Sequence, residues 1–128
     1  VLGWIEDARR LGLGLGVASS SSRAWVVGHL ERLGLNQWDC IRCRDDVARA
    51  KPDPDLYLAV ALELGVAPAE AVAIEDSPTG CLAARAAGLY CVAVPNRMTA
   101  DLDFDAADVR LDSLADVSLE AFLKGLRR

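Results

Sequence analysis

The sequence predicts an α/β domain built on a mostly parallel sheet. Three observations carry that prediction. Short apolar runs alternate with amphipathic segments along the whole chain, and glycines follow the helical segments where a left-handed cap is needed. Residues 71–75 (AVAIE) are apolar until the last, the pattern of a strand covered on both faces. The 128 residues suffice for one domain, which buries roughly two thirds of the surface its unfolded chain would expose.

The elements follow in order. Residues 3–11 read as the end of a helix closed at Gly12, and Leu13, Leu15 and Val17 then alternate with small residues in a strand running to Ala18. Four serines, Ser19 to Ser22, lead into a helix over 24–33 that sets Trp25, Val26, Leu30 and Leu33 on one side before Gly34. A second strand covers 38–42. After a polar loop, Pro54 begins a helix whose Leu56, Tyr57, Val60, Ala61 and Leu64 face inward up to Gly65. The third strand is 71–75; Ser77 as N-cap and Pro78 at the first helical position open a helix that Gly88 ends. Residues 90–94 form the fourth strand, a loop spans 95–107, a short strand lies near 109–111, and a last helix covers 118–126. Arg127 and Arg128 read as a solvated end.

Composition removes several classes of function. With 14 Lys+Arg against 19 Asp+Glu the net charge is −5, which disfavours nucleic acid and anionic lipid as partners, since both need a basic face. No apolar run approaches the roughly 18 residues that cross a bilayer. Cys40 and Cys43 form a C-x-x-C, but Cys81 and Cys91 supply no second one, and positions three apart on a strand face opposite ways. Four buried free thiols in a reducing cytoplasm are therefore expected.

In parallel sheets ligands bind beyond the carboxyl ends of the strands. Three such ends carry chemistry here. Ser19 to Ser22 offer hydroxyls and free N–H groups at a helix start, a ready anion site. Lys51, one of only two lysines beside twelve arginines, stands next to Pro52 and offers a compact charge to a phosphoryl oxygen. Glu75 and Asp76 are adjacent carboxylates of the kind that suit Mg²⁺, a hard cation wanting oxygen ligands. Asp45 and Asp46 read as surface turn acids.

In combination, Gly16-Val17-Ala18-Ser19, Ala50-Lys51-Pro52-Asp53-Pro54-Asp55 and Ala73-Ile74-Glu75-Asp76-Ser77-Pro78-Thr79-Gly80 resemble the haloacid dehalogenase-like hydrolase superfamily, closest to its β-phosphoglucomutase and sugar-phosphatase-like branch. The resemblance covers essentially the whole chain. It implies a Rossmann-like three-layer core and a Mg²⁺-dependent phosphatase or phosphomutase that acts on a small phosphorylated metabolite through an aspartyl-phosphate. By the same resemblance Ser19 bonds the transferring phosphoryl group with help from the backbone of Ser20, and Lys51 neutralises charge between nucleophile and phosphate. Asp76 is implied as a Mg²⁺ ligand, and Glu75 as one acting directly or through water. Phosphoryl transfer is mostly positioning and electrostatic stabilisation, which such groups supply.

The family's nucleophile is an aspartate of a D-x-D-G type motif on a strand central to the sheet, between those ending at Ser19 and Asp76. Asp53-Pro54-Asp55, Asp101-Leu102-Asp103 and Asp103-Phe104-Asp105 share its acid spacing, but none follows an apolar strand or precedes glycine. The family's cap is not recognisable either. Residues 1–128 are therefore expected to be the C-terminal portion of such a core, with an incomplete sheet, no cap domain and no turnover alone. Two open strand edges should pair with the missing N-terminal segment or with another copy. The competing reading is a degenerate domain that binds metal, phosphate or protein without chemistry. A dinucleotide site at Gly12, Gly14 and Gly16 fails because these glycines precede the strand, and a serine hydrolase built on His29, the sole histidine, lacks a G-x-S-x-G.

Overall fold

The computed structural model describes residues 2–35 and 38–126, so the reading of Arg127 and Arg128 lies outside the described residues. Among the described residues five helices and five strands appear in the order α1 Leu2–Arg10, β1 Gly16–Ala18, α2 Arg23–Arg32, β2 Cys40–Arg42, α3 Asp55–Leu64, β3 Val72–Glu75, α4 Pro78–Ala87, β4 Tyr90–Ala93, β5 Val109–Arg110 and α5 Leu119–Leu126. Short 3₁₀ turns occupy Arg44–Asp46, Pro68–Glu70 and Leu114–Asp116.

All strand pairs among the described residues are parallel, in two sheets: β1 with β2, and β3–β4–β5. The helices make the outer layers. α3 lies against β1 and β2, α4 against β3 and β4, and the two helices pack together, so this layer ties the sheets to each other. Its core joins Tyr57, Ala73, Cys81, Ala84, Cys91 and Ala93. On the opposite side α1 packs on α5, and Trp4, Ala8, Leu114 and Leu119 cluster with Leu15, Val94 and Leu111. The Trp4 indole N–H is shared between the carbonyls of Leu114 and Val117, each at 2.9 Å. The small residues of α4 let it sit close to the sheet. A Cβ at position 80 would overlap the carboxylate of Glu75, which would have to shift to admit any side chain there.

The expected fold class is what the chain adopts, with corrections of detail. The first strand is shorter than 13–18 because the closure of α1 claims Leu13, whose N–H bonds back to Ala8 O at 2.9 Å after the left-handed Gly12. The second strand starts at Cys40 rather than 38. Of the apolar side expected for α2 only Val26 is buried; Trp25 is 56% exposed and stacks on His29, and Leu33 is exposed too. The third strand is not covered on both faces. Ala73 and Glu75 are buried beneath α3 and α4, whereas Ile74 points to the other face, where it lies outside the cluster around Trp4 and Leu114 and is 40% exposed. The four cysteines are buried and free, as expected. No helix among the described residues is long and apolar enough to cross a membrane.

Candidate functional site

The three strand ends converge on one cleft of about 370 Å³, lined by Ser19, Ser20, Lys51, Glu75, Asp76 and Thr79, with Ala18, Ile74 and Ser77 between them. It lies across the open edges of β1 and β3. The serine, lysine and carboxylates singled out from the sequence thus meet in one place, although the chain separates the first from the last by more than fifty positions.

Each is held by local structure. Ser19 prolongs the β1–β2 ladder through its N–H, which bonds Arg42 O at 3.0 Å, and its Oγ accepts from Ser21 N at 3.1 Å. That contact uses the oxygen as acceptor and leaves the hydroxyl proton for a further partner. Ser20 Oγ accepts from Lys51 N at 3.3 Å and so pins the lysine loop to the serine loop. Ser22 caps α2 by accepting from Trp25 N, while Ser77 caps α4 by accepting from Gly80 N. Asp45 and Asp46 brace the turn before Lys51. Asp46 accepts from Cys43 N and pairs with Arg23, contacts that hold its carboxyl below the usual carboxylate range.

Lys51 and Glu75 form the centre. The lysine Nζ donates to Ala18 O at 2.9 Å and to Glu75 Oε1 at 2.5 Å, and stands 4.9 Å from the centre of the Tyr57 ring. The Tyr57 hydroxyl donates to the same Oε1. Burial, reinforced by the Glu75 charge, pushes the Tyr57 hydroxyl far above its ordinary pKa, so it remains a donor. Lysine and glutamate side chains are only 13% and 7% exposed. One ammonium thus links the end of β1 to the end of β3 where no backbone bond does. Asp76, by contrast, is exposed, and receives the Asn96 side-chain amide at 3.2 Å.

The donor set suits a hard cation. Glu75, Asp76 and the neighbouring hydroxyls offer only oxygen, and two carboxylates would leave most of a Mg²⁺ coordination sphere to water and phosphate oxygens, as that ion prefers. Among the described residues no group of three or more His, Cys, Asp or Glu is gathered to form a richer site.

Sequence reasoning missed Tyr57, Thr79 and Asn96. Helical spacing sets Tyr57 on the inward face of α3, where it lies, but a buried tyrosine hydroxyl also needs a partner, and that requirement could have tied it to a buried acid. Asn96 follows β4, a fourth strand end to which the rule for parallel sheets extends as well as to the other three. Thr79 is placed on the cleft only by the first turn of α4.

The sequence profile described as haloacid dehalogenase-like hydrolase matches residues 1–94. YhcW of Bacillus subtilis (strain 168), which its name provisionally calls a phosphatase, is 47% identical over 124 residues, 96% of this chain and 56% of its own length. The crystal structure of CbbY from Rhodobacter sphaeroides in complex with phosphate superposes with a TM-score of 0.85 at 39% identity, over 90% of this chain and 53% of that one. The β-phosphoglucomutase of Clostridium difficile superposes at 0.84 with 25% identity, over 96% and 53%. The chain spans about half the length of the relatives it matches.

Proposed function

The chain belongs to the haloacid dehalogenase-like hydrolase family, and from that premise we propose that it carries the phosphate- and cation-binding part of a Mg²⁺-dependent phosphohydrolase. The substrate is a small phosphomonoester such as a sugar phosphate, and the reaction runs through an aspartyl-phosphate whose nucleophile is not among these 128 residues. The single observation that carries the reading is the meeting of Ser19, Lys51, Glu75 and Asp76 in one cleft. Names of relatives support the substrate class, since they include a phosphoglucomutase and a phosphate-bound CbbY.

In this reading the Ser19 hydroxyl and the Ser20 N–H bind phosphoryl oxygens, and Lys51 balances their charge from a position that Glu75 and Tyr57 hold. Asp76, with Glu75 beside it, holds Mg²⁺, which when bound supplies charge neutralisation to the phosphoryl group. Residues 1–128 are then the portion of the core that follows the nucleophile-bearing strand. The open edges of β1 and β3 are where the nucleophile-bearing strand, or failing that another copy, pairs. Four buried free thiols fit a cytoplasmic location.

The test is complementation. Adding the preceding half of a relative such as YhcW should produce Mg²⁺-dependent hydrolysis of p-nitrophenyl phosphate that is lost in Asp76→Asn. Equal turnover by the 128-residue chain alone, verified by intact mass, would contradict the assignment of the nucleophile to another segment. The second reading, a domain that binds without chemistry, has one observation in its favour: among the described residues, the only carboxylates lining the cleft are Glu75 and Asp76. Cation binding with no turnover in any complemented form would favour it.

A further inference from the structure

We propose that Asn96 is a positioning residue for Asp76, fixing the carboxylate through which the chain takes a divalent cation. This rests on the reading of Asp76 as a cation ligand. β4 ends at Ala93, and three residues later the chain turns on the side chain of Asn96. Its Oδ1 accepts from Met98 N at 2.8 Å, Thr99 N at 3.0 Å and Thr99 Oγ1 at 3.1 Å. Thr99 Oγ1 accepts in turn from Asn96 N at 3.0 Å.

Three donors on one oxygen decide which way the amide faces, because the reversed amide would set its NH₂ against two backbone N–H groups. Nδ2 is thereby aimed at Asp76, whose Oδ2 it reaches at 3.2 Å. An aspartate at an exposed strand end has several staggered rotamers open to it, and a donor anchored by its own turn selects one. The contact uses one lone pair of Oδ2 and leaves Oδ1 free for a cation. Ligating carboxylates are commonly oriented by such outer partners. Glu75 lacks this freedom, since Lys51 and Tyr57 both occupy its Oε1. The cation's hold on this chain therefore depends on the direction of Asp76, and that direction on Asn96.

The experiment is a MgCl₂ titration of the ¹⁵N-labelled 128-residue chain, following the backbone amides of residues 75–77 and the side-chain NH₂ of Asn96. The Asn96 NH₂ pair should move with the same apparent Kd as the Asp76 amide, and its failure to move would overturn the proposal without any variant. Asn96→Ala should weaken Mg²⁺ binding by about tenfold. Thr99→Val removes both bonds of Thr99 Oγ1 to Asn96 but keeps the Met98 and Thr99 N–H groups on Oδ1 that face the amide toward Asp76, and should change affinity by less than about twofold. Unchanged affinity in Asn96→Ala, or equal weakening in Thr99→Val, would mean that Asn96 serves the turn alone. Loss of binding in Asp76→Asn with a silent Asn96→Ala would sink this inference and spare the parent reading. Unchanged binding in Asp76→Asn would overturn both.

Discussion

Replacing Lys51 by Met keeps most of the side chain's length and deletes the charge that stands 4.9 Å from the centre of the Tyr57 ring. Glu75, 7% exposed, is then left with the Tyr57 hydroxyl as its remaining side-chain donor. Breaking a buried pair from one side costs about 3–5 kcal/mol, most of it the penalty of an uncompensated charge. The low end, about 3 kcal/mol, fits here because Tyr57 still donates. With a urea m-value of about 2 kcal/mol/M, the midpoint should fall by about 1.5 M. Lys51→Met combined with Glu75→Gln removes both charges and keeps an amide oxygen for Tyr57. That double variant should recover at least about half of the loss, since replacing both members of a buried pair is often close to neutral. Urea unfolding followed by tryptophan fluorescence measures all three proteins. If the double variant is no more stable than Lys51→Met, the stranded charge is not the source of the cost. The bond from Lys51 to Ala18 O, which joins the two sheets, would be the contact that matters instead.

Other perturbations test neighbouring parts of the structure. Gly80→Ala forces the Glu75 carboxylate out of its place against α4 and should destabilise by about 2–4 kcal/mol; an unchanged urea midpoint would refute the close packing. Trp4→Phe leaves two carbonyls without their shared donor and should cost about 1–2 kcal/mol, read from thermal unfolding, and no loss would mean that α1 does not clamp the segment around Leu114. Burial pushes the thiols of Cys40, Cys43, Cys81 and Cys91 up in pKa, so a thiol reagent at pH 8 should label none of them until the chain unfolds. Because these groups hold protons more tightly when folded, their contribution to stability is full below the ordinary thiol pKa of about 8.5 and is lost as the pH rises above it. A urea midpoint that climbs between pH 8 and pH 10 would contradict that sign.

Much of the cleft is legible in the sequence because its members occupy punctuated places in the chain. Ser19 and the Glu75-Asp76 pair each follow an apolar run and Lys51 stands beside Pro52 in the loop after the second strand, and parallel topology carries such positions to one end of the sheet. Ser77, Pro78 and Gly88 mark α4 to within a residue because capping is local chemistry. The exposure of Ile74, Trp25 and Leu33 is not legible there, since an apolar residue reads the same whether or not a neighbour arrives to cover it.

By itself the sequence determined the parallel α/β architecture, the strand ends and the acidic, lysine and serine groups placed at them, all of which depend on nearest neighbours along the chain. Only the tertiary structure decided which of these groups touch. It turned Glu75 inward to Lys51 and Tyr57, left Asp76 outward beneath Asn96, and divided the strands into two sheets joined at this end by an ammonium group. Glu75 is the last residue of β3 and Asp76 the first beyond it, and what waits for each is set by helices and loops distant in sequence.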